Sequence, residues 1–206
     1  MPGTARNDPP ATAPSALRAR LGARSIVLVG MPGSGKSSIG RRLAQHLGLE
    51  FADADQEIEA AAGMSIADIF SRHGEPYFRA GEARVIARLL DKGQQVIAAG
   101  GGAFVNPDTR ALVRARALSV WLKADVDLLL RRVKRKNDRP LLRVADPEAV
   151  LKRLLTEREA VYAKADITVT SLDVPHEAVV QALLEALAQN LSEEGAKATT
   201  PVGARP

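Results

Sequence analysis

Apolar positions along this chain follow two alternating rhythms. Short runs dominated by aliphatic residues, Ser25–Val29, Glu50–Ala52, Gln95–Ala99, Leu118–Leu122 and Asp166–Val169, predict five strands. Between them lie segments whose apolar positions recur about every 3.6 residues. Val85, Ile86, Leu89 and Leu90 form one such stripe, and Val179, Val180, Leu183, Leu184 and Leu187 form another. Each stripe predicts a helix that buries one face. Strand and helix alternating in this way predict an α/β domain: three layers, with a five-stranded parallel sheet between helices and right-handed crossovers. In such a fold ligands collect outside the carboxyl ends of the strands, so the residues that follow each strand are the candidates for chemistry.

Composition narrows this picture. A length of 206 residues with 46% hydrophobic content suits one domain, expected over residues 25–190. The first 24 residues hold four prolines and four arginines against one aspartate, with no continuous apolar run. They are expected to be a disordered extension, as is the tail 191–206, and they lack the apolar core of a secretory signal. No window is long and apolar enough for a membrane span, so the expected location is the cytoplasm. Cysteine is absent, which excludes disulfides, thiolate metal sites and cysteine nucleophiles. The formal charge of +5 is concentrated at the N-terminus and in Arg131–Arg143, where seven basic residues face only Asp138. Charge of one sign at that density predicts a lid, over about residues 132–146, that orders on a polyphosphate. An RNA-binding patch would look similar, but no aromatic residues are interleaved with the charges and no RNA-binding signature is present.

The first strand is followed by Gly30-Met31-Pro32-Gly33-Ser34-Gly35-Lys36-Ser37, the phosphate-loop pattern in full, with a helix predicted over Ser38–His46. Glycines let successive backbone N–H groups converge on phosphate oxygens at a positive helix terminus. Lys36 then reaches the β and γ phosphates of ATP and the Ser37 hydroxyl ligates Mg²⁺. Gly33, Ser34, Gly35, Lys36, Ser37 and Ser38 are therefore the nucleotide-binding candidates.

A phosphate loop does not identify the group that receives the phosphate, so the other strand ends matter. Asp53 and Asp55 lie two apart on an extended segment and share a side, which suits one for the Mg²⁺ shell and the other for an acceptor hydroxyl. An alternative is that Asp55 only caps a helix over Gln56–Ala62. Gly100, Gly101 and Gly102 end the third strand, where a close approach of backbone to ligand explains three glycines better than packing does. If Pro76 opens a helix, Arg79 shares a face with Ala83, Ile86 and Leu90, and Arg158 continues the stripe of Val150, Leu151, Leu154 and Leu155. A guanidinium on an apolar face needs an anion, either a ligand carboxylate or a structural glutamate.

Together these features resemble the shikimate kinase family. The resemblance rests on the loop Gly30–Ser37, the Asp53-Ala54-Asp55 pair, Gly74-Glu75-Pro76-Tyr77-Phe78-Arg79, Gly100–Gly102, Asn137-Asp138-Arg139-Pro140-Leu141-Leu142 and Glu157-Arg158-Glu159, in the family's order and spacing over about residues 25–190. It implies a P-loop kinase similar to the nucleoside monophosphate kinases, with a substrate-binding segment near residues 55–83, acting on shikimate with ATP and Mg²⁺. By position, Asp55 would bind the ring hydroxyls, and Arg79, Arg158 and the Gly101 backbone would grip the carboxylate, with Phe78 as a pocket wall. Arg139 would reach the transferring phosphate, Arg132 would lie against adenine, and Asp53 would sit near the metal. Lys36, Asp55 and Arg139 are thus the catalytic candidates, in a monomer with no nucleic-acid or membrane partner. The chain departs from the family after the last strand, where Ser171-Leu172-Asp173-Val174-Pro175 lacks a second adenine-side arginine. Two other readings compete: a kinase of the same fold with another small acceptor such as gluconate, and a nucleotide-gated RNA-binding module.

Overall fold

The computed structural model describes residues 12–134 and 146–199. Its sheet holds five strands, β1 (Ser25–Val29), β2 (Glu50–Asp53), β3 (Gln95–Ala98), β4 (Ala117–Lys123) and β5 (Ile167–Thr170), in the order β2-β3-β1-β4-β5 with every pair parallel. The helices are α1 (Pro14–Leu21), α2 (Lys36–Leu47), α3 (Ala54–Ala62), α4 (Ile66–Asp91), α5 (Pro107–Arg116), α6 (Val126–Lys134), α7 (Pro147–Tyr162) and α8 (His176–Thr199).

The period of two in β1 divides the core. Val27 and Val29 face one apolar layer with Ile86, Leu89, Trp121 and Tyr162, whereas Ile26 and Leu28 face the other with Ile39, Leu43, Leu183 and Leu187. Each β1 residue is therefore buried from both sides, as a central parallel strand requires.

The expected strands are present with shifted ends. β5 begins at Ile167 instead of Asp166, because the Asp166 carboxylate accepts from both the backbone N–H (2.8 Å) and the hydroxyl (2.6 Å) of Ser119 and so joins the sheet through its side chain. The expected disorder of the N-terminal extension needs correction for its described residues, 12–24. Leu17 and Leu21, one turn apart on α1, are each 2% exposed against the layer of α2 and α8. Arg20 donates to Ser192 Oγ at 2.8 Å, and Arg24 pairs with Glu194 at 2.8 Å. The tail boundary at residue 191 needs the same correction, since α8 continues to Thr199.

α4 is two helices joined at Gly74, whose φ of 79° and ψ of 172° are not helical. Pro76 then falls in the first turn of the second half, where its missing N–H costs nothing. This bend presents Phe78 and Arg79 toward the carboxyl end of the sheet.

Candidate active site

The carboxyl ends of β1, β2 and β3 bring three loops to one edge, with Leu28 opposite Ala98 and Asp53 opposite Ala98 in the ladder. The phosphate loop leaves β1 through Gly30, Gly33 and Gly35, all at positive φ (137°, 88° and 95°), a region that only glycine enters freely. Gly35 leads into α2 with no side-chain cap, so the first amides of that helix are left for an anion. Lys36 folds back over the loop and donates to the carbonyls of Gly30 (2.9 Å) and Met31 (3.0 Å). Ser34 is wholly buried and its hydroxyl oxygen has no hydrogen-bond partner. This cradle of converging amides, a buried ammonium and an unsatisfied hydroxyl fits a polyphosphate. Among the described residues no cluster of three His, Cys, Asp or Glu occurs. A metal here would therefore rest on few protein ligands together with phosphate and water, the habit of Mg²⁺, with Ser37 in the first turn of α2 and Asp53 at the end of β2 as the candidates.

Asp53, not Asp55, caps α3: its Oδ1 accepts the Asp55 N–H at 3.1 Å, and the helix starts at Ala54. The capping alternative for Asp55 is thereby excluded, and Asp55 sits in the first turn of α3. A Cβ placed on Gly100 would meet Glu82 Oε1 at 2.3 Å and Asp55 Oδ1 at 3.0 Å, so two carboxylates converge on the glycine platform. A Cβ on Gly101 would lie 3.0 Å from Pro32 of the phosphate loop, and one on Gly102 would lie 2.4 Å from Arg79 Nη1. Each of the three glycines is therefore closely approached by a different neighbour.

The two arginines on apolar stripes find different partners. Arg79 donates to Glu82 Oε2 at 2.7 Å through Nη1 and to Glu75 at 2.9 Å through Nη2, and it stacks over Phe78 with its carbon 5.0 Å from the ring centre. Burial alone would lower its pKa, but the two glutamates outweigh this and hold the guanidinium charged. Glu82 is 3% exposed, and burial raises its pKa against the opposing pull of Arg79. Arg158 instead donates to the Gly101 carbonyl at 3.1 Å, and the Tyr162 hydroxyl donates to the same oxygen. Arg79, Arg158, Asp55 and the glycine platform thus surround one side of the phosphate loop.

Arg132 lies on the opposite side. It donates to Ser171 Oγ and to the Leu172 carbonyl, each at 2.8 Å, and burial lowers its pKa. The segment after β5 is thus tied to α6, and Arg131 adds a pair with Asp173 at 3.2 Å. Arg139 and most of the expected lid lie outside the described residues.

Glu82 and Tyr162 were not foreseen from the sequence. Both carried a signal: Glu82 interrupts the apolar run of Phe78, Val85 and Ile86 one turn after Arg79, and Tyr162 follows Arg158 by one turn.

This arrangement can be set beside known proteins. The family model described as shikimate kinase matches residues 32–188. The chain belongs to the shikimate kinase family. A shikimate kinase of Bradyrhizobium diazoefficiens is 62% identical over 176 residues, covering 85% of each chain. One of Rhodopseudomonas palustris is 57% identical, covering 82% of this chain and 83% of its own length. Among solved structures, the shikimate kinase of Acinetobacter baumannii in complex with shikimate superposes with a TM-score of 0.80 at 36% identity, covering 84% of this chain and 98% of that one. Family membership agrees with the P-loop α/β fold seen here and makes the chain an ATP-dependent kinase. Among the described residues no helix is long and apolar enough to cross a membrane.

Proposed function

We propose that this shikimate kinase family member transfers the γ-phosphate of ATP to the 3-hydroxyl of shikimate, giving shikimate 3-phosphate and ADP on the route to chorismate and the aromatic amino acids. The observation that carries this reading is the convergence of Arg79, Arg158 and the glycine platform beside Asp55, facing the phosphate loop. Two guanidiniums beside a backbone platform suit a planar carboxylate, and a carboxylate side chain nearby suits ring hydroxyls. The A. baumannii relative was solved with shikimate itself.

Phosphoryl transfer of this kind passes through a loose transition state, so the chain's work is to align the groups and to neutralise charge. Arg79 and Arg158 hold the carboxylate, Phe78 walls the ring, and Gly100–Gly102 allow a close approach. Asp55 orients the acceptor hydroxyl and accepts its proton as the new bond forms. Lys36 turns from the Gly30 and Met31 carbonyls to the β and γ phosphates, and the amides from Gly33 to Ser38 hold the remaining oxygens. Ser37 and Asp53 would hold Mg²⁺, which would supply charge neutralisation at the phosphates. Arg139 brings a further positive charge to the transferring group, and Arg132 lies against adenine. The enzyme works as a cytoplasmic monomer with no nucleic-acid partner.

The test is ADP release with shikimate, quinate, gluconate, AMP and CMP as acceptors. Shikimate is expected to be turned over with the highest kcat/KM. Turnover of another acceptor with shikimate inert would refute the assignment.

A further inference from the structure

Tyr162 ends α7 with its side chain wholly buried, which is unusual for a phenol unless its hydroxyl is occupied. The hydroxyl donates to the Gly101 carbonyl, which also accepts from Arg158 Nη1 at 3.1 Å. A carbonyl oxygen has two lone pairs, so residues of α7 take up the full accepting capacity of this one. Its peptide is trans, so the Gly102 N–H points away from α7 while the carbonyl is held toward it. The same bond steadies Arg158, whose guanidinium also lies beside the Tyr162 hydroxyl.

The other neighbours of Tyr162 connect it to the nucleotide side. Its ring centre is 6.0 Å from that of Trp121, the single tryptophan of the chain. Trp121 Cδ1 is 3.3 Å from where a Cβ on Gly30 would stand, at the start of the phosphate loop. Gly101 in turn packs on Pro32 of that loop. Tyr162 therefore sits where the acceptor platform and the nucleotide loop are braced against each other.

We propose that Tyr162 is a positioning residue for the acceptor: with Arg158 it saturates the Gly101 carbonyl, and so sets the glycine platform and the Arg158 guanidinium for an acceptor carboxylate. This rests on the acceptor reading given above. It does not make Tyr162 catalytic, since the hydroxyl meets backbone and not substrate.

Tyr162→Phe removes one oxygen and keeps the ring against Trp121. Gly101 keeps its bond from Arg158, so no buried acceptor is orphaned. Loss of one neutral hydrogen bond predicts a rise in KM for shikimate of about 3- to 10-fold. KM for ATP and kcat should stay within about twofold of wild type, since the phosphate loop keeps all its contacts. Shikimate titrations followed by Trp121 fluorescence should give the same rise in Kd, independently of turnover. With the methyl ester of shikimate, which carries no anion, variant and wild type should bind alike. An unshifted KM and Kd for shikimate would overturn the proposal. So would equal losses for ATP and shikimate, or for acid and ester, because either would mark a merely structural role. These outcomes are read against a wild type that phosphorylates shikimate; a wild type inert toward shikimate contradicts the functional reading itself.

Discussion

Gly102→Ala offers the sharpest test of how the acceptor site is built. Gly102 has φ −101° and ψ −13°, which alanine adopts readily, so the substitution introduces no backbone strain. Its Cβ, however, would stand 2.4 Å from Arg79 Nη1 and 2.7 Å from both Cζ and Nη2. Ordinary contact needs about 3.5 Å, so the guanidinium must retreat by about 1 Å. A shift of that size disturbs the Nη1 bond to Glu82 Oε2, now 2.7 Å. Glu82 is too deeply buried for water to replace that donor. The displaced Arg79 would lose its charge-assisted hydrogen bond to the acceptor carboxylate, which contributes about 1.5–3 kcal/mol, so kcat/KM for shikimate should fall by about 10- to 100-fold. Most of the loss should appear in KM. A coupled ADP-release assay with each substrate varied in turn measures this, and KM for ATP should be unchanged. Gly81→Ala is the control: its Cβ would meet nothing within 4 Å, and alanine favours a helix by about 0.5–1 kcal/mol. That variant should be slightly more stable and fully active. A Gly102→Ala enzyme within twofold of wild type on shikimate would show that Arg79 does not need its present position.

Three further predictions follow from charge and burial. Arg139→Ala should lower kcat at least about 100-fold with little change in KM for shikimate, because its charge is needed only as the phosphate transfers; normal turnover would remove it from the mechanism. Burial holds the Glu82 acid above its ordinary value of 4.5, so the folded chain binds that proton more tightly than the unfolded chain. Its contribution to stability is full below pH 4.5 and is lost as pH rises through the raised folded value. Glu82→Gln removes that loss, so the Tm difference between variant and wild type should move in the variant's favour from pH 4.5 to 7; a constant difference would contradict the argument. Leu17→Ala should cost about 2–5 kcal/mol in chemical denaturation while leaving kcat unchanged, and a loss below about 0.5 kcal/mol would mean that α1 is not part of the folded unit.

Local patterns carried much of this protein. A phosphate loop is legible because its function is performed by consecutive backbone amides, so eight residues in register with a strand and a helix contain the whole device. The strands and helical stripes were legible for a similar reason, since burial of one face imposes a period that neighbours along the chain reveal. Arg79 and Arg158 stood out because a charge on an apolar stripe conflicts with its surroundings. The same logic misled at the N-terminus. Pro and Arg content suggested an extension, while two leucines one turn apart were enough to dock α1 once α2 and α8 supplied a surface.

The choice among partners was left to the tertiary structure. Sequence allowed each arginine either a glutamate or a ligand anion, and folding decided differently for the two: Arg79 is held by Glu75 and Glu82, and Arg158 by the Gly101 carbonyl 57 residues away. Strand geometry alone did not separate Asp53 from Asp55, and the start of α3 made the first a cap and left the second facing Gly100 and Glu82. The spacing of Tyr162 from Arg158 did not reveal its role, because its partner is a backbone oxygen 61 residues distant and any residue presents the same carbonyl. Period and motif are properties of neighbours in the chain, and they are written there. Which buried donor meets which acceptor depends on where crossovers bring distant segments together, and only the folded chain determines that.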